Sequence, residues 1–302
     1  MRPFLPTLWS NLMGQVINRD DIEIIFVDDE STDGTWNDLY SIAMMYKEYH
    51  VEVFSQRHAY QGAARNRGIK HAKGKYLYFM DADDQLVPHA LLYLVSLTEL
   101  TDADLIIFKW SRLGENDKGG RVENFDIAAE IESPKERLEF FVENKPVCTR
   151  ACWDKLYRRS IVVENDIQFA EGLWDEESLF TTPMYLLAKK IYVYNEILYL
   201  YNMYRDGSSS QTLVKNNQDH LFDNKYVWMQ TYVKCKDLGL IEENHELFEW
   251  WFYANYYIYS QQFDRSRKYH MLERDKIELL EDVKRLFPNY KNNQTLRHFR
   301  LV

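Results

Sequence analysis

The chemistry-bearing residues of this chain gather where apolar stretches end. Tyr76-Leu-Tyr-Phe-Met80 is an unbroken apolar run that stops at Asp81-Ala82-Asp83-Asp84. Ile22-Glu-Ile-Ile-Phe-Val27 stops in the same way at Asp28-Asp29-Glu30, followed by Ser31-Thr32-Asp33-Gly34. A short apolar run bounded by turn residues reads as a buried strand, and the carboxyl ends of strands in open α/β sheets are where ligands bind. Two carboxylates one residue apart suit a hard divalent cation, because Mg²⁺ and Mn²⁺ prefer oxygen ligands. The same residues would also serve as an acidic turn capping the next helix. On their own, the acids leave both readings open.

The elements needed to position these acids follow in order. Residues 1–21 carry Phe4, Leu5, Leu8, Leu12 and Met13 at helical spacing. A helix over about 35–49 follows the first acid run, with Thr32 or Asp33 as its cap. Val51-Glu-Val-Phe-Ser55 is the next strand, and a loop with Gln56, Arg57, His58 and Gly62 leads to a helix over 63–73. Helix 88–100 and strand 104–110 come after the second acid run. This alternation over 22–110 predicts a parallel, doubly wound sheet with right-handed crossovers. Beyond residue 114 the expected pieces are a polar loop at 114–121, a helix opening at Ser133-Pro134, and short strands at 156–157, 191–194 and 198–204. From Asn216 to Pro288 the pattern is helical and aromatic-rich, which places a domain boundary at 212/213: a ligand-binding and catalytic domain over 1–212 and a helical subdomain over 213–302.

Composition removes several function classes. The chain has 302 residues and a net charge of −10, and a nucleic-acid partner normally requires a basic face. No apolar run approaches the ~20 residues of a membrane span, and the first residues lack the pattern of a signal peptide. An odd number of cysteines, Cys148, Cys152 and Cys235, with no metal-type spacing, is expected to stay reduced in a bacterial-type cytosol. The 22 tyrosines and 8 tryptophans suit sugar faces and membrane interfaces, although most are expected in the core. The run Phe248–Tyr257 reads first as helix core. Arg265, Arg267 and Lys268 beside it keep a peripheral contact with the inner face of the cell membrane open.

Taken together, Ile24-Ile-Phe-Val-Asp28-Asp29-Glu-Ser-Thr-Asp-Gly34, Gly62-Ala-Ala-Arg65-Asn66-Arg-Gly68, and Phe79-Met-Asp81-Ala82-Asp83-Asp84 resemble the family 2 glycosyltransferases. Lys155-Leu-Tyr-Arg158-Arg159 and Gly172-Leu-Trp-Asp175-Glu176-Glu177-Ser-Leu-Phe180 continue the resemblance, and Leu198–Tyr201 with Arg205-x-x-Ser208 echoes the end of that domain. The match covers roughly residues 1–210. It implies a GT-A fold: an α/β, Rossmann-like, mostly parallel sheet flanked by helices, here with a C-terminal helical subdomain. It also implies a nucleotide-sugar donor, most simply a UDP-sugar, a Mn²⁺ or Mg²⁺ ion, and a glycan or lipid-linked oligosaccharide acceptor. The function implied is inverting sugar transfer in surface polysaccharide synthesis, in the cytoplasm or at the membrane's inner face. A homo-oligomer is left open.

Under that resemblance the residues take roles. Asp28 and Asp29 would accept from base N–H or ribose hydroxyl groups. Arg65 would meet phosphate or base, or pair with Asp81. Asp81, Ala82 and Asp83 would hold the donor, with Asp81 and Asp83 on the metal, and Asp84 reads as a supporting residue. Asp175, Glu176 and Glu177 form the candidate base cluster. Matching Phe180 to the family's Phe puts Glu177 on the usual catalytic Asp, and a shift of one residue would favour Glu176. An acidic first turn favoured by the helix dipole is the plainer alternative. Lys155, Arg158 and Arg159 face either an anion or solvent, and Trp174 either stacks on an acceptor sugar or packs in the core.

One departure concerns the sheet. Family members begin with an apolar strand that lies centrally, whereas this sequence opens on the helix expected to follow it. The neighbouring strands are therefore expected to lack a hydrogen-bonding partner, and a shortened start is the favoured reading. Two other classes compete with an active transferase. A non-catalytic sugar-nucleotide or glycan-binding partner would also explain the departures. A phosphohydrolase built on Asp-x-Asp leaves Asp28–Gly34 and Arg65-Asn66 unexplained.

Overall fold

The computed structural model describes residues 1–15, 17–113, 127–131, 133–144, 149–202, 217–261 and 273–302. After a 3₁₀ turn at Arg2–Phe4, helix α1 (Leu5–Met13) leads to strand β1 (Ile24–Asp29), α2 (Thr35–Met45), β2 (Val51–Gln56) and α3 (Tyr60–His71). The chain then forms β3 (Tyr76–Tyr78), β4 (Gln85–Leu86), α4 (Ala90–Thr101) and β5 (Leu105–Arg112). There follow β6 (Ile127–Glu130), α5 (Pro134–Glu143), β7 (Lys155–Arg158), α6 (Arg159–Glu164), α7 (Glu177–Leu187) and β8 (Lys190–Tyr201). Helix α8 (Asn217–Asp237), α9 (Leu240–Glu243), α10 (His245–Phe252), a π-helical stretch (Tyr253–Ile258), α11 (Glu273–Leu286) and α12 (Gln294–His298) complete the chain.

Each strand and helix expected over 22–110 is present, but strand direction is mixed. β1 and β2 run parallel as a separate pair. The larger sheet has the order β3-β7-β5-β8-β4, with β6 on β8. In it β5 and β8 are parallel, whereas β7 is antiparallel to both β3 and β5. The parallel reading of 22–110 missed this because β7, the strand inserted between β3 and β5, comes from residues 155–158. The stretch read as a strand at 191–194 and the part of 198–204 up to Tyr201 are one strand, β8, whose register against β5 shifts at Phe108–Trp110. The bulge lets it continue as a single element.

β1 pairs only with β2, and β3 only with β7, among the described residues. Helix α1 packs through side chains against β1, β2 and the segment that follows β3. Leu5 and Leu8 pack with Leu39 of α2 against Phe26 and Val53 on one side and Met80 and Ala82 on the other. Asn11 donates from Nδ2 to the Leu86 carbonyl at 2.9 Å and accepts the Leu86 N–H at 2.8 Å. The helix thus satisfies the edge of β4 as a strand would.

The main core lies between the larger sheet and the C-terminal helices. Phe141 of α5, Tyr185 of α7 and Trp251 of α10 meet with ring centroids 5.1–5.6 Å apart. Phe248, Trp250, Phe252 and Tyr256 are buried, so the aromatic run is core, as its sequence suggested. The proposed boundary at 212/213, the motif at Arg205–Ser208, the loop at 114–121, Cys148, and Arg265, Arg267 and Lys268 lie outside the described residues.

Candidate active site

Two of the three acid runs meet at Arg65. Small residues in the first half of α3 let it approach closely: a Cβ on Gly62 would sit 2.0 Å from the Ala170 carbonyl oxygen. That approach carries Arg65 inward until its side chain is only 12% exposed. Its Nη1 donates to Glu176 Oε1 at 2.5 Å and lies 4.0 Å from Glu177 Oε1, while Nη2 donates to Asp81 Oδ1 at 2.9 Å. One guanidinium therefore ties the end of β3 to the start of α7. A planar fork with several donors suits this role, and an ammonium could not span both acids.

The two glutamates are not equivalent. Glu176 is 2% exposed, held by Arg65 and, at 3.4 Å, by Gln61 Nε2. Glu177 is 24% exposed and accepts the Cys152 N–H at 2.8 Å. Burial raises both carboxyls above the usual range, opposed by the Arg65 charge. Asp175, the third member of the run, sits in the left-handed region with φ 59°. Its Oδ1 lies 3.6 Å from Arg150 Nη1, and its Oδ2 is buried with no hydrogen-bond partner. Glu177 begins α7, so the acidic first turn read from the sequence and the site reading describe the same residue.

The first acid run is shaped by strand register. β1 and β2 align Asp29 with Gln56, and Gln56 Nε2 donates to Asp29 Oδ1 at 2.9 Å. Asp29 also accepts the Ala59 N–H at 2.9 Å and pairs with His58 at 2.9 Å. Asp28 is buried, with Oδ2 accepting the Ser31 N–H at 3.2 Å and Oδ1 left without a partner. A buried carboxylate oxygen left bare at a cavity wall is costly unless a ligand donates to it.

Asp83 lines the cavity, while Asp84 turns away from it. Asp84 is buried and accepts from the Tyr199 hydroxyl and, at 2.7 Å, from the Asn202 N–H. Burial pushes its carboxyl up to about 7. Its bonds fix the turn that presents Asp81 and Asp83, in the supporting role expected for it.

Asp28, Asp29, Arg65, Asp81, Ala82, Asp83, Glu176 and Glu177 all line one cavity of about 810 Å³. Asp175 lines a smaller adjoining space of about 260 Å³ with Arg150 and Glu177. Trp174 is on the main cavity wall, edge-on to Tyr60 at 5.8 Å. Sequence reading missed Trp153, which also lines the cavity and stacks between Tyr199 at 4.6 Å and Tyr201 at 5.4 Å. Its one signal was position, two residues before the Lys155-Leu-Tyr segment. Lys155 faces neither the cavity nor solvent. It is fully buried, donating to Thr149 Oγ1 at 2.7 Å and to the Ala151 carbonyl at 2.6 Å, and pairing with Asp154. Arg158 pairs with Asp104 at 2.7 Å and Asp102 at 2.9 Å, away from the cavity. Among the described residues no group of three or more His, Cys, Asp or Glu side chains forms a metal cluster.

With this geometry in hand, the family profile of "Glycosyl transferase family 2" matches residues 2–165, just over half of the chain. The chain belongs to that family. The poly(ribitol-phosphate) β-glucosyltransferase of Bacillus spizizenii is 33% identical over 199 residues, covering 66% of this chain and 30% of that protein. The glycosyltransferase YibD of Escherichia coli is 29% identical, covering 62% of this chain and 55% of that one. The chain thus spans about half or less of the length of these relatives. Among solved structures, Staphylococcus aureus TarS 1–349 in complex with UDP superposes with a TM-score of 0.69 at 20% identity, covering 95% of this chain and 78% of that one. A mannosyltransferase from Pyrobaculum calidifontis, in complex with GDP-Man and Mn²⁺, superposes at 0.50 with 13% identity, covering 95% of this chain and 84% of that chain. The fold is GT-A.

Proposed function

We propose that this chain transfers a sugar from a UDP-sugar to a hydroxyl of a glycan or lipid-linked acceptor, with inversion at the anomeric carbon, in the building of a surface polysaccharide. The observation that carries the reading is one cavity lined by acids from β1, from the segment after β3 and from the start of α7, the last two joined by Arg65. Relatives named for transfer to poly(ribitol-phosphate), and the UDP held by TarS, support the acceptor and donor classes.

Asp28 and Asp29 take the donor's nucleoside, with the bare Asp28 Oδ1 accepting from its N–H or hydroxyl groups. Asp81 and Asp83 are a hard oxygen pair that would hold Mn²⁺ or Mg²⁺. When bound, the cation supplies Lewis-acid stabilisation of the leaving diphosphate. Glu177 is the base: it is the more exposed of the two glutamates, and the Cys152 N–H fixes its orientation. It takes the acceptor hydroxyl's proton as that oxygen bonds to the anomeric carbon and the bond to the diphosphate breaks, releasing UDP. Glu176 keeps Arg65 in place. Trp153 and Trp174 offer apolar faces to sugar rings. The division into a catalytic domain over 1–212 and a helical subdomain over 213–302 is part of this proposal, and the described helices of the second part begin at Asn217.

Incubation with a panel of UDP-sugars, Mn²⁺ and a polyol-phosphate or lipid-linked acceptor tests this by UDP release. No release with any donor, beside an active control enzyme, would sink it. The division of β1 and β3 between two sheets favours a second reading, a sugar-nucleotide binder without turnover. Calorimetric UDP binding with no transfer would select it.

A further inference from the structure

A second cavity, of about 860 Å³, lies along another face of α3, against α6 and the segment after it. Arg57, Arg67, Lys70 and Arg159 line it, opposite Asp166 and Glu171. The acids have other partners: Asp166 accepts from Gln168 at 2.7 Å and Glu171 from Asn66 at 3.0 Å. None of the four cations forms an ion pair among the described residues, although Arg65, Lys155 and Arg158 are each paired. Arg67 and Arg159 also carry a buried Nε with no hydrogen-bond partner. The Arg67 guanidinium lies 5.6 Å from the Phe54 ring centroid, which gives it an apolar support and leaves its polar edge unengaged.

In a chain of net charge −10, four cations that form no ion pair and face only two carboxylates leave this concave surface net positive, an electrostatic cost. That cost becomes a gain when an anion enters, since low-dielectric walls focus the field and a guanidinium fork matches phosphate oxygens. From these observations we infer that the groove is a second ligand site for a phosphate-bearing chain. It is separate from the donor cavity, because Arg65 and Ala64 face that cavity while Arg67 and Lys70 face this one. Resting on the transfer reading above, the ligand is the acceptor, whose backbone phosphates would dock here while its growing end reaches the acids.

Linear polyphosphate is the probe, followed by fluorescence anisotropy without any donor sugar. The wild-type chain should bind it with an affinity that falls steeply with salt. Arg67→Ala with Lys70→Ala should weaken binding roughly tenfold or more, and so should the exposed single change Lys70→Glu, at least in part. Lys236→Ala with Lys291→Ala, on the far helices, should leave it unchanged, and calorimetric UDP binding should be the same in all variants. Absence of polyphosphate binding, equal losses in the far-helix control, parallel loss of UDP binding, or capture by anionic lipid vesicles but not by polyphosphate would each overturn the proposal. Failure of sugar transfer alone would not, because the binding measurement needs no donor.

Discussion

At the scale of single residues, the division of labour among the acids depends on what each one touches. Glu177 is open enough to meet an acceptor, whereas Glu176 is buried against Arg65. Glu177→Gln should therefore lower transfer by roughly 10²–10⁴-fold with UDP affinity unchanged, read from single-turnover rates and calorimetry. Asp84 gives a pH dependence of opposite origin. Its carboxyl is held at about 7 in the folded chain, against an ordinary value of 3.8, so the folded state binds this proton more tightly than the unfolded state. The contribution to stability is complete at low pH and is lost as pH rises through that interval. Thermal melts at stepped pH should show Asp84→Asn removing this part of the decline between about 4 and 7. The acid motifs were legible as local pattern, carboxylate runs directly after apolar stretches, and their company with Arg65 set them apart from a capping turn. Which of them support and which face the ligand was not, because that depends on Tyr199, Asn202 and Arg65, distant in sequence.

At the scale of elements, the decisive contact is between α3 and the segment before α7. Arg65 reaches both Asp81 and Glu176 only because Gly62 lets the helix lie against the Ala170 carbonyl. Gly62→Ala should force the two apart, costing about 3 kcal/mol or more in denaturant melts and weakening UDP binding through the displaced guanidinium. Helix α1 has a similar positioning role between β1 and the segment after β3, which it joins by side chains rather than by a backbone ladder. Alternating periodicity predicted these elements well. Strand direction escaped it, because β7 enters the sheet from far along the chain and antiparallel to its neighbours.

At the scale of the whole molecule, the C-terminal helices share one apolar core with the larger sheet. Trp251 is buried against Phe141 and Tyr185, residues of α5 and α7. Trp251→Ala should cost about 3–5 kcal/mol, and calorimetry should show a single unfolding transition moved down as a whole. Separate transitions, with only one of them shifted, would show that the helices fold on their own. No helix among the described residues is long and apolar enough to cross a membrane.

The sequence by itself determined the family and the GT-A class, and it named the acids and Arg65 of the candidate site. These rest on local pattern, on apolar strands ending in carboxylates and on motifs a few residues long. Only the tertiary structure decided that Lys155 is a buried structural cation, that Trp153 belongs to the cavity, and that Arg65 is the hub joining two acid runs. It alone set Arg67 and Lys70 on a different face of α3 from Arg65 and beside Arg159. Those outcomes depend on which distant segments pack together, and packing is a property of the whole chain that no short spacing encodes.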